Sequence, residues 1–432
     1  MHLLRPLLAL CAAALLAAAT SPLDTLDEVA RDYVRMGLEI GVRDPGFVDA
    51  YYGPAEWRQA AEAAPRTLEQ LAAAAAVLKA RIDRIPPAQG RLEQRRRAFL
   101  LAQIGAASTR LRMVRGERLS FVEEARGLYG VSLEGRLHPL SHYDPIIARI
   151  DRLVPGEGPL RTRIAEFTGR FVIPPERLDA VMRAAIGECR RRTLARIPLP
   201  DDEAFTLEFV TGQPWSGYNW YQGRYRSLIQ INTDFPTMIG KALDLGCHEG
   251  YPGHHAYNML LERELARGRG WSEYLIYPLY SPQSFIAEGS ANYGIELAFP
   301  GAERLEFETR VLYPLAGLPV ADAAAYLALE AAIDELQSAR FTIARDYLDG
   351  RIGREEALVL IERYQLVARA QAEQSLAFTD RYRAYVINYG LGQDMVRGFV
   401  ERAGAEPAAR WATMRRLLSE PTLPADLAAP AP

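Results

Sequence analysis

The sequence predicts a mainly α-helical body with one small β-element, and three observations predict it. Apolar residues recur at i, i+3 and i+4, with charges between them, over most of the chain. Proline and glycine clusters cut that pattern into helix-sized pieces: Asp44-Pro45-Gly46, Gly53-Pro54, Ile85-Pro86-Pro87, and Pro155-Gly156 through Gly158-Pro159. Only between 197 and 236 does the periodicity change to strand-like alternation.

Taken in order, residues 1–19 (MHLLRPLLALCAAALLAAA) read as a signal peptide. Arg5 supplies the positive start, Leu7 to Leu16 the apolar run, and Ala17-Ala18-Ala19 the small residues of a cleavage site. The run is shorter than the roughly 20 apolar residues of a spanning helix, so no lasting membrane insertion is expected. Cys11 lies inside the run rather than after it, which argues against lipidation. The mature chain is expected to be exported, to a periplasm. Helices are expected at 24–42, 66–84, 91–114, 141–153, 158–170 and 175–195. Strands are expected at 204–210 (AFTLEFV) and 226–232 (RSLIQIN), joined by an aromatic loop, Trp215 to Tyr221. Asn232-Thr233-Asp234 ends the second strand and offers caps for a long helix, 238–267. Further helices follow at 283–298, 320–348, 354–377 and 393–402. The tail after Pro421 is expected to fray. No linker divides residues 20–432, which read as one body, and no period of about 20 to 50 residues suggests a solenoid.

Composition narrows the function classes. With 432 residues, 49% hydrophobic and 24% charged, the chain is neither collagen-like, disordered nor a multi-span membrane protein. Its 51 basic and 54 acidic residues form no basic block, so nucleic acid is not an expected partner. Only Lys79 and Lys241 are available for lysine chemistry. Export would leave Cys189 and Cys247, which make no disulfide framework. They are expected as two buried free thiols, with a single bridge as the alternative.

The six histidines are the informative residues, because three fall within eight positions: His248-Glu249-Gly250-Tyr251-Pro252-Gly253-His254-His255. His248-Glu249 opens as H-E-x-x-H zinc helices do, where the second histidine returns to the same face after four residues. Here Pro252 stands at that position. On a straight helix His254 would point about 120° away, and His255 would lie about 10.5 Å along the axis. Pro252-Gly253 is the pair to bend the helix and return one of them to His248. The spacing leaves open which. A catalytic zinc site uses three protein ligands and keeps a fourth position open. Glu288, in Glu288-Gly289-Ser290-Ala291-Asn292, is the candidate third ligand, with Asn292 on the same face and Glu296 the alternative.

HEGYPGHH followed by EGSANYGIE resembles the bacterial family called domain of unknown function 885, which carries H-E-x-x-P-G-H-H. Asp49-Ala50-Tyr51-Tyr52-Gly53-Pro54, Tyr218-Asn219 and Asn232-Thr233-Asp234 look like family features too. Where the family has E-G-W-A-L-Y-A-E, this chain has Ser290, Asn292 and Gly294 at three positions but keeps both glutamates. The resemblance implies a zincin-like helical metallohydrolase holding one Zn2+ through His248, Glu288 and either His254 or His255. The histidine left over would bind substrate. Glu249 is then the general base on the water at the open position.

The expected activity is that of a peptidase acting on short peptides. A zinc hydrolase of a non-peptide amide or cell-wall bond, and a non-catalytic periplasmic binding protein with a structural metal, are the alternatives. Tyr385, Tyr389 and Arg381, in a stretch that looks like the family's C-terminal Y-x-x-x-Y-G region, are candidates to stabilise the oxyanion. Arg340 and Asp346 are candidates to support the site from outside it. Strand 226–232 is the candidate edge to pair with an extended substrate.

Overall fold

Three helices open on the same device. Thr25, Thr67 and Ser120 each accept a hydrogen bond from the backbone three residues on, and Glu28, Gln70 and Glu123 reach back to the capping residue. Each pair satisfies two of the amide groups that a helix start leaves open. The computed structural model describes residues 25–428. The signal-peptide reading, with His2 and Cys11, lies outside them. Helix makes up 66% of the described residues and strand 7%, so the protein is mainly α with small sheets.

The early helices lie close to their expected places: Leu26–Arg43, Leu68–Arg84, Arg91–Val114, Asp144–Leu153, Leu160–Thr168 and Pro175–Leu194. Two later ones are divided. The pattern over 320–348 breaks between Ala323–Asp334 and Ala339–Leu348. There the backbone bonds shorten to three-residue turns, as in Leu336 N to Ile333 O at 2.9 Å. The pattern over 354–377 breaks at Leu366, whose φ of 55° is left-handed. Neither break carries a proline or glycine, so periodicity ran through both. The tail is docked rather than frayed as far as the described residues go. Leu427 is buried, and Arg95 holds Pro421 O at 2.7 Å and Thr422 Oγ1 at 3.0 Å.

Among the described residues, five strands form two sheets. β1 (Val48–Tyr51) and β5 (Ile276–Pro278) pair antiparallel. β2 (Ala204–Val210), β3 (Gly217–Gly223) and β4 (Arg226–Asn232) form a sheet in the order β2-β4-β3. β2 and β4 occupy their expected residues. The aromatic loop, however, is strand β3, antiparallel to β4. Strand 226–232 is therefore central and already paired on both sides, and β3 is an outer strand of that sheet.

The expected long helix is also broken. It runs from Ile239 to Leu245, widens into a π-helical turn over Gly246–Gly250, and stops. It restarts at His254 and continues to Leu261, then in π-helical form to Arg267, where the expected helix ends. A cis Tyr251-Pro252 peptide lies in the break. Cys247 is bonded to Cys189, so the two cysteines are a disulfide, not free thiols. The bridge pins the residue before His248 to the helix Pro175–Leu194.

A buried ionic cluster closes the far side of this helix. Arg304 Nε donates to Glu308 Oε1 at 2.9 Å, and Arg304 also meets Asp244 at 2.9 Å. Glu308 Oε2 is buried without a hydrogen-bond partner. Burial, aided by Asp244, outweighs Arg304 and pushes Glu308 up to about 7 from 4.5. A carboxyl raised on folding stabilises the fold while protonated. That contribution is complete below 4.5 and is lost as pH rises through about 7. Glu308→Gln is therefore expected to match the wild type near pH 4 and to melt at a higher temperature at pH 8. Equal pH profiles for the two melting curves would reject this.

Candidate metal centre

The helix restart decides which histidine returns. His254 is the first residue of the second helix, and its ring meets that of His248 edge-on, with centroids 4.6 Å apart. Only a residue without a side chain fits before it. A Cβ on Gly253 would overlap the carbonyl oxygens of His248 and Cys247. Gly253 N instead donates to Cys247 O at 3.1 Å.

Glu288 comes from the helix Pro282–Ala298, which starts at the Ser281 cap. That helix crosses Ile387–Glu401 where Gly289 and Gly392 bring the two backbones into contact. Glu288 Oε2 lies 3.2 Å from His248 Nε2, and Glu288 Oε1 lies 3.6 Å from His254 Nε2. Ligand atoms about 2.0–2.2 Å from a tetrahedral ion stand about 3.3–3.6 Å apart. His248, His254 and Glu288 could therefore hold a metal ion. The hydrogen bonding supports this. Asn292 Oδ1 lies 2.9 Å from His248 Nδ1, and Asn292 Nδ2 donates to Tyr389 O at 3.3 Å. Asn292 thus accepts the Nδ1 proton and turns the Nε2 lone pair toward Glu288. Glu288 Oε2 is itself buried with no hydrogen-bond partner. Two lone-pair atoms facing each other at 3.2 Å require a positive charge between them. Without an ion, a proton takes that place. Burial alone would lower His248, but the Glu288 carboxylate, ready to accept its proton, and the charges of Glu249 and Glu288 raise it to about 9. Burial alone would raise Glu288, but His254 and His248 hold it well below the carboxylate range.

His255 is not part of this group. It is fully buried, with Nδ1 2.7 Å from Ser227 Oγ and Nε2 3.0 Å from Glu203 Oε2. Both ring nitrogens are engaged on the opposite side of the helix, so it neither holds the ion nor reaches substrate. Glu203 also binds Tyr251 and Arg190, and these partners outweigh burial to bring it down to about 2. His255 thus locks the second helix onto the sheet. His254→Ala is expected to lose metal while melting close to the wild type. His255→Ala is expected to keep the ligand atoms but lose about 1–3 kcal/mol, since buried partners are left unpaired. Metal analysis beside thermal melts checks the pair, and the reverse pattern would overturn the assignment.

Glu249 faces the group from beside β3. A Cβ on Gly217 would come within 2.8 Å of Glu249 Oε1, and Asn219 Nδ2 donates to Glu249 O at 2.7 Å. Among the described residues no hydrogen bond or ion pair holds the Glu249 carboxylate. Burial raises its pKa against the pull of His248 and His254, as suits a proton acceptor.

The tyrosines divide. Tyr385 donates to Glu288 Oε1 at 2.7 Å, so its hydroxyl is occupied in positioning that carboxylate. Tyr389 stacks parallel to His248 at 6.5 Å, and its hydroxyl makes no hydrogen bond among the described residues. Burial raises both well above 10, which keeps them protonated donors. Arg381 is exposed, lies over Tyr382 at 5.3 Å and does not touch the His–Glu group. Glu296 pairs with Arg397 at 2.5 Å on the outside, and Asp346 with Arg345 and Arg351. Arg340 does lie beside Tyr389's surroundings, over Phe378.

Asp49 and Tyr218 join the site without any assigned role in the sequence. Tyr218 donates to Asp49, which burial pushes up to about 6 despite that bond and the charge of His254. Asp49 belongs to a segment that looks like a family feature, and the pairing of β1 with β5 brings it here.

No family model matches the chain, and no curated protein sequence matches it. Among solved structures, it is similar in fold to a candidate lipoprotein from Colwellia psychrerythraea. The TM-score is 0.51 at 15% identity, over 92% of this chain and 76% of that one. At this identity the likeness concerns the fold.

Proposed function

We propose that the chain is an exported zinc-dependent hydrolase, a peptidase acting on short peptides. One observation carries the reading: an uncommitted buried carboxylate, Glu249, stands beside a cluster that, among the described residues, has three ligands rather than four. A structural zinc takes four protein ligands, whereas a catalytic one keeps a position open. The donor set of two imidazoles and a carboxylate suits zinc, and the family resemblance of HEGYPGHH points the same way. Zinc bound there would polarise a carbonyl and make water a stronger acid. Glu249 takes the proton of the attacking water and passes it to the leaving nitrogen. Tyr389 offers its free hydroxyl to the carbonyl oxygen as charge builds there. Outer strand β3, next to Glu249, offers backbone groups to an extended peptide. The Colwellia protein is named as a lipoprotein, which supports an envelope or extracellular place for this chain; the periplasm is the narrower reading of residues 1–19. No described helix is long and apolar enough to cross a membrane.

Dialysis against a chelator is expected to abolish hydrolysis of short peptides, and one equivalent of zinc to restore it. Full activity in metal-free protein would end this reading.

A further inference from the structure

Among the described residues Arg340 has no carboxylate partner for its charge. Its Nε is buried with no hydrogen bond, and among the described residues no carboxylate lies within ion-pair distance. The other enclosed arginines differ. Arg96 is held by Glu273 and Asp27, Arg110 by Asp44, and Arg304 by Asp244 and Glu308. A guanidinium cannot shed its proton, so one whose Nε is buried without a partner is costly to keep. Burial opposes its charge, and only Tyr389 favours it.

Its place explains what that cost serves. The guanidinium lies over the Phe378 ring at 4.9 Å. Phe378 lies 6.1 Å from Tyr389, and Tyr389 stacks 6.5 Å from His248. The start of Arg340's helix also packs on Gly390, where Phe341 is 3.0 Å from the Cβ position. Arg340 is thus linked to the proposed metal ligand His248 through two rings, Phe378 and Tyr389, on the side of Tyr389, whose hydroxyl makes no hydrogen bond among the described residues. Phe378 holds the plane of the guanidinium from one face, and the N–H groups along its edge can donate to the two oxygens of a carboxylate.

We infer that Arg340 binds the C-terminal carboxylate of the substrate, so that the enzyme works near the free C-terminus of short peptides. This rests on the peptidase reading and adds the end of the peptide that is recognised. An acidic side chain would present the same carboxylate, and the test separates the two.

Calorimetry on Glu249→Gln protein measures binding without turnover, using trialanine, its C-terminal amide, and alanyl-glutamyl-alanine amide. Trialanine is expected to bind about tenfold to a hundredfold more tightly than its amide. Arg340→Met should erase that advantage with zinc content unchanged, and Arg340→Lys should keep part of it. If the glutamyl amide alone gains the advantage, the carboxylate is a side chain's, and the C-terminal assignment is overturned. Equal binding of acid and amide, no binding of any probe, or an undiminished preference in Arg340→Met also overturns it. If trialanine binds with the expected preference but the wild type hydrolyses no peptide, the peptidase reading falls while Arg340's role stands.

Discussion

Glu249→Gln should retain one equivalent of zinc, melt with the wild type, and hydrolyse peptides about a hundredfold to ten-thousandfold more slowly. Its carboxylate has no structural duty among the described residues, so an amide of the same shape leaves nothing unpaired. Asn219 bonds the backbone carbonyl of Glu249, which the substitution leaves in place. The loss should appear in kcat, because the proton transfer belongs to the transition state. The decisive comparison is kcat beside metal content. A variant with full turnover would remove Glu249 from the chemistry, and one that lost zinc would make it a ligand.

Gly253→Ala should be nearly as damaging by an unrelated route. The added methyl group collides with the carbonyl oxygens of His248 and Cys247, which are backbone and cannot rotate aside. Cys247 is further restrained by its bond to Cys189. The strain must therefore go into the restart of the helix, which carries His254. Displacing a reacting group by about 1 Å can cost roughly a hundredfold in rate. Hydrolysis should fall at least that far, and zinc affinity with it. Metal titration and rate measurements on the same preparation check this. An alanine variant with normal affinity and rate would show that the break tolerates a side chain.

The two strands with clean alternation, β2 and β4, were legible to the residue because alternation is a property of the segment itself. β3 was not: it contains glycines at both ends and three large aromatics, and it becomes a strand by pairing with β4. The three histidines were visible as a cluster, but the choice between His254 and His255 depends on where a broken helix resumes. A 100° step separates adjacent residues, and that step sends His254 to Glu288 and His255 to Glu203. Glu288 itself was recognisable only by the resemblance of its segment, since a helical glutamate has no local mark. Asn292 stood on the right face, yet its bond to His248 needs the two helices side by side. Asp49 and the Cys189–Cys247 bond join distant parts of the chain: Asp49 was visible only as part of a family-like segment, and the bond only as the alternative to two free thiols.

The bridge from Cys247 to Cys189 has a practical consequence for the metal. Beside the first ligand, the chain is covalently anchored to a helix that does not touch the ion. The second ligand is anchored too, through the bonds of neighbouring His255 to Ser227 and Glu203. Stripping the ion should therefore leave an empty mould rather than a collapsed one. Cobalt(II), whose visible spectrum reports coordination number, should enter that mould without a refolding step, making the protein a convenient host for reading its own coordination shell in solution.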